Sequence, residues 1–198
     1  MTKSKSELIR YIFLVSLCLQ TDICYAQKED SLLNVIQSTS FNSLSSQEKH
    51  KIYLQAIFEL DQEIRNSSTL IIQEFGYKTI QHNEIVEKQK EIDRFLFNTM
   101  VDYLNIHGHP SKELGEIACY TPQLIFHHVS GTSEDLELKE RFFPFFYQAY
   151  LDGAINGNSI YFYLFRLHSQ ILNQEYKSEL NEEEQIKDLI EILQLNKE

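Results

Sequence analysis

Asp61-Gln62-Glu63-Ile64-Arg65 sets a carboxylate and a guanidinium four residues apart, neighbours on one face of any helix that carries them. Most such pairs are solvated and contribute under about 1 kcal/mol. Four histidines stand in two short clusters, His107-Gly108-His109 and His127-His128, and neutral imidazole is a common zinc ligand. Adjacent helical side chains diverge by about 100°, so His127 and His128 do not readily serve one ion. A zinc site would need His107, His109, one of that pair, and a carboxylate such as Asp93 or Glu116. Hydrogen-bonded structural roles are the expectation for most of these histidines, and neither metal nor cofactor is assigned. Arg166 follows the apolar run Tyr161-Phe162-Tyr163-Leu164-Phe165. A charge on such a helix must be paired or face a wet cleft, as a structural anchor or as a ligand clamp. The sequence has no Gly-rich phosphate loop, His-Glu-x-x-His, closely spaced Cys pair or Gly-x-Ser-x-Gly elbow.

The elements that position these residues read as helices. The spacing predicts a short helix over 29–38 and a long second helix capped by Ser45, with Ile52, Ile57, Leu60 and Ile64 inward and Gly76 ending it. Asn83 is the expected cap of a third helix that stops by Gly108-His109-Pro110. Ser111 opens a fourth, with Ile117 inward and Pro122 as a break or kink. A fifth starts at Ser133-Glu134 and carries the aromatic run Phe142–Tyr150 around Pro144. The stretch Ile160–Leu172 is apolar almost all round and is expected to be the most buried helix. Asn181 before three glutamates caps the last one. The expectation is an all-α fold, a single compact domain of six or seven helices.

The chain has 198 residues and a net charge of -11. That acidity argues against nucleic acid as a partner, because phosphate binding needs a basic face. Three prolines and six glycines supply too few turns for a β-sandwich or barrel. Lys3, Lys5 and Arg10 precede the apolar run Tyr11–Leu19, and Cys24-Tyr25-Ala26 precedes Gln27. The run falls short of the roughly 20 residues that span a bilayer. Residues 1–26 therefore read as a secretory signal peptide, 27–44 as an N-terminal helix and linker, and 45–198 as the helical domain. Export to the periplasm or beyond follows, with no stable membrane anchor after cleavage. Cys119 is then the one cysteine left, so no internal disulfide is expected.

Taken in order, several short motifs resemble a bacterial family known as domain of unknown function 6624. Asp61-Gln62-x-x-Arg65 matches its first element, Gly108-His109-Pro110 with Gly115 its second, and His128 its histidine, with His127 in place of the family's Gln. Arg166 keeps the Arg of an Asp-Arg element without the Asp. Gln174 and Tyr176 stand in a Gln-x-Tyr element whose Gly-Thr-Gln has become Lys-Ser-Glu. The resemblance implies a polar site of Asp61, Gln62, Arg65, His128, Arg166, Gln174 and Tyr176, suited to a small anionic or polar ligand. The lost Asp and Gly-Thr-Gln favour binding over catalysis. Two other readings remain open. One is a hydrolase-like enzyme with His128 as general base oriented by Asp61. The other is a protein-interaction module using the aromatic-rich helix. Asp61, Arg65, His128 and Arg166 are expected to line one cleft, since polar groups on apolar helices need partners.

Overall fold

The computed structural model describes residues 27–129 and 131–195; the expected signal peptide, residues 1–26, lies outside them. Among the described residues there is no strand and there are seven helices. They are α1 (27–38), α2 (Gln47–Phe75), α3 (Ile80–His107), α4 (Glu116–His128), α5 (Ser133–Leu151), α6 (Gly157–Leu172) and α7 (Glu182–Ile192). The all-α expectation holds. α2 and α3 form a long antiparallel hairpin, α4 packs across both and against α6, and α6 also contacts α5 and α7. Ile36 of α1 and Leu44 join the same hydrophobic core as the remaining helices.

Local chemistry explains most boundaries, with shifts of a few residues. Ser46, not Ser45, caps α2, accepting from the Lys49 amide at 3.4 Å. A short 3-10 turn at Phe41–Ser43 and the buried Leu44 fix where the helix can begin. Thr79, not Asn83, caps α3, because the chain reverses in only four residues after α2 and Thr79 accepts from the His82 amide. Gly76 and Gly108 end α2 and α3 at φ +83° and +71°, conformations that glycine adopts without a Cβ clash. A 3-10 turn at Lys112–Leu114 separates Ser111 from α4. Pro122 and Pro144 both lie inside continuous helices. In α5 and α7, Thr132 with Asp135 and Asn181 with Glu184 form capping boxes.

The expected burial is corrected in three places. Ile52 and Ile117 are exposed: Tyr53, one position after Ile52, turns inward in its stead, and beside Ile117 only Ala118 is buried. α6 is not buried all round: Phe162 faces solvent, while Ile160, Tyr163, Leu164 and Leu167 face the core. α4 is the helix enclosed on most sides, with Thr121 through Phe126 all buried. The reason is its place between the α2–α3 hairpin and α6. Phe126 of α4 meets Phe142 and Phe146 of α5 edge-on at 5.5 and 5.2 Å, a geometry worth about 0.5–1.5 kcal/mol per pair beyond area burial. The core half of the α5 aromatic run is thus filled by Phe142, Phe143 and Phe146, and Phe145 remains partly exposed.

Candidate functional site

Asp61 sits in the middle of α2 with no exposed surface, and its carboxylate is saturated with donors. Arg65 Nη2 and Nε donate at 2.8 and 3.3 Å, one to each oxygen. Gln62 Nε2 donates at 2.8 Å, and His128 Nδ1 lies 2.8 Å from Oδ1. Arg65 reaches on to Asp93 of α3 at 2.6 Å. The i,i+4 spacing on α2 does what a helix face dictates, but burial turns an ordinary surface pair into a network. α4 delivers His128 from its last position, across from Asp61.

Electrostatics separates the two carboxyls that share Arg65. Burial pushes Asp61 up, but the hydrogen bonds from His128 and Arg65, and their charge, more than offset it, leaving the group below the ordinary range. At Asp93 burial wins over Arg65, and the negative charge of Asp61 adds to it, so this carboxyl sits above the ordinary range. Tyr120 of α4 is raised first by burial and then by the charge on Asp61. With its Nδ1 facing an ionised carboxylate, His128 carries the Nδ1 proton there in its neutral form. Its Nε2 then presents a lone pair and takes no hydrogen-bond partner among the described residues.

Arg166 comes in from α6. Its Nη2 donates to the His128 carbonyl at 3.3 Å, while its Nε is buried without a partner among the described residues. No carboxylate of the described residues lies within ion-pair distance of it. Burial lowers its pKa first, and the neighbouring Arg65 charge adds to that. His127 Nδ1 is likewise buried and unbonded. Burial, then the charges of Arg166, His128 and others, holds His127 down to about 4, so it is neutral near pH 7.

The end of α4 is held by two basic side chains. Beside the Arg166 bond, Lys139 of α5 is buried and donates its Nζ to the Val129 carbonyl at 2.5 Å and to Gln170 Oε1 at 2.9 Å. Gln170 Nε2 donates to the same Val129 carbonyl at 3.3 Å. The last carbonyls of a helix have no intrahelical donors, and positive charge there complements the macrodipole. Burial, with Arg166 adding to it, lowers Lys139 to about 7.

Of the residues singled out in the sequence, the structure brings together Asp61, Gln62, Arg65, His128 and Arg166. Tyr176 instead donates its hydroxyl to Asp188 of α7 at 2.8 Å and packs its ring against His168, and Gln174 is exposed. His107 packs among His50, Phe41 and Tyr103, and His109 Nδ1 lies 2.8 Å from the Pro110 carbonyl oxygen. No group of three metal-binding side chains occurs among the described residues. Nothing in the sequence marks Lys139 or Gln170, because a lysine three residues before a phenylalanine pair reads as surface. Asp93 stands out in the sequence only as a candidate zinc ligand. Comparison with known proteins adds nothing further: no family model matches the chain, nor does any curated protein or solved structure.

Proposed function

We propose that the protein is an exported helical domain that binds a small anionic ligand at the end of α4, between His128 and Arg166. The observation that carries this reading is the state of Arg166. Arg65 is neutralised by Asp61 and Asp93, whereas Arg166 has no carboxylate partner among the described residues and a buried Nε with nothing to donate to. A buried unpaired donor costs roughly 1–3 kcal/mol, more when charged, and a carboxylate or phosphate oxygen would satisfy it with a charge-assisted bond. Export rests on the basic and apolar pattern of residues 1–26.

A second reading has one observation of its own. Asp61 orients His128 through Nδ1 and leaves Nε2 as a base, the carboxylate–imidazole arrangement of general-base catalysis. No serine or cysteine nucleophile bonds to Nε2 among the described residues, so water would be the group activated.

Thermal unfolding of the full chain with rising inorganic phosphate, and separately acetate, tests the proposal. Ligand at a hundred times its Kd stabilises by about 2.7 kcal/mol. The rise in Tm is expected in the parent protein and absent in Arg166→Ala. If parent and variant respond equally, the site is elsewhere. If Tm falls in the variant and neither anion shifts the parent, Arg166 only caps α4. Hydrolysis of p-nitrophenyl acetate that disappears in His128→Ala would instead favour the catalytic reading.

A further inference from the structure

Arg166 and Lys139 bond the carbonyls of adjacent residues, Nη2 to His128 at 3.3 Å and Nζ to Val129 at 2.5 Å, so the two basic groups are neighbours. The carboxylates around them are already engaged: Asp61 and Asp93 hold Arg65, and Asp135 holds Arg94. Two adjacent cations without a counter-ion repel, and burial makes the repulsion costly. Arginine cannot shed its proton, but lysine can. The bonds of Lys139 fit the neutral amine. An –NH2 group has two N–H donors, and Nζ has two acceptors, the Val129 carbonyl and Gln170 Oε1. A third N–H, present only on the ammonium, finds no acceptor among the described residues. The groups facing Lys139 from each neighbouring element are few. Arg94 of α3 and Asp135 of α5 compensate each other in a bidentate pair, and His127 of α4 is neutral near pH 7. From α6 come Gln170, the Tyr163 hydroxyl, which donates to the Lys139 carbonyl at 2.9 Å, and Arg166. Among the described residues, the charge left uncompensated beside Lys139 is that of Arg166.

We infer, building on the anion site assigned above to Arg166, that this site binds its anion together with a proton, which Lys139 takes up from solvent. An anion seated on Arg166 compensates the charge that repels a proton from Lys139, and the amine becomes an ammonium. Burial first and the Arg166 charge second hold the unliganded amine at about 7, and the anion cancels the second of these. The coupling is reciprocal, so the proton tightens the anion by the same factor by which the anion favours the proton. The amine binds its proton below about pH 7 without ligand and to a higher pH with it. Affinity is therefore greatest at and below neutrality and declines as pH rises through the liganded value. If the anion raises the amine by one unit, binding is about fivefold weaker at pH 9 than at pH 7. At pH 7.5 about half a proton is then taken up per anion bound. A monovalent anion enters with no net change in charge, so the bound species is formally the undissociated acid. Such a protein loads best in acidic surroundings.

Isothermal titration calorimetry of the full chain with sodium sulfate, and separately sodium acetate, tests this, because neither anion titrates near or above neutrality. At pH 7.5, in buffers that differ in ionisation heat, the heat of binding should vary with the buffer by the equivalent of about half a proton taken up. Kd should rise about fivefold between pH 7 and pH 9. About a fifth of a proton should still be taken up at pH 8.5, above the ordinary range of imidazole. In Lys139→Met, with its fold checked by far-ultraviolet dichroism, proton uptake and pH dependence should both vanish while the anion still binds. Binding without proton exchange in the parent overturns the inference and leaves the anion site standing. So does uptake that persists in Lys139→Met or is gone by pH 8.5, either of which would put the proton on His127 or His128. No binding in the parent, or binding unaltered in Arg166→Ala, removes the anion site itself and this inference with it.

Discussion

Replacing Lys139 by Met should flatten the dependence of stability on pH between neutrality and about pH 10. Lys139 is 2% exposed, and its amine is bonded only to neutral acceptors, the Val129 carbonyl and Gln170 Oε1. Burial holds its pKa at about 7 against an ordinary 10.5. At 1.36 kcal/mol per unit, the folded state is penalised by roughly 4–5 kcal/mol when the amine is charged, relative to its neutral form. Between those two values the unfolded chain binds the proton and the folded chain does not, so stability rises with pH across the window and is flat below about 7. Methionine has a similar reach, carries no proton and fills irregular space. Val129 keeps its bond from Gln170 Nε2 in the variant, so the loss at pH 7 should stay within about 2 kcal/mol of zero. Urea unfolding followed by far-ultraviolet dichroism at pH 7, 8, 9 and 10 gives both curves. Other groups that titrate there are common to parent and variant and cancel in the difference. Parallel curves would refute the reasoning, since they would mean the Lys139 ammonium loses little hydration on folding.

Two further outcomes are expected. Asp135, held down to about 2 chiefly by its bidentate bond from Arg94, contributes stability that is present above its unfolded pKa of about 3.9 and is lost as pH falls through about 2. Arg94→Ala should move that acid transition upward in an unfolding titration, and an unmoved transition would show that the Thr132 cap alone sets it. Protein recovered from the exporting host should begin at Gln27 by intact mass, whereas a retained Met1 in a cytoplasmic fraction would end the signal-peptide reading.

The sequence alone determined the number of helices to within one, because apolar residues at period 3.6 and breakers such as Gly76, Gly108 and Asn181 act locally. It also put Asp61 beside Arg65, since four residues on a helix is a fixed distance. Burial was less legible. Ile52 and Tyr53 are both apolar neighbours, and only the packing of α4 and the 41–44 turn against α2 decides which one turns inward. Caps were legible as residue types and not as positions: Ser45 and Ser46 are chemically alike, and the buried Leu44 sets the register. The site needed tertiary structure most. The Asp61–His128 bond closes a separation of 67 residues, and Arg166 reaches the same helix end across 38. Nothing local encodes those distances; they follow from α4 lying between the α2–α3 hairpin and α6, which is settled by how the apolar faces of all three fit together.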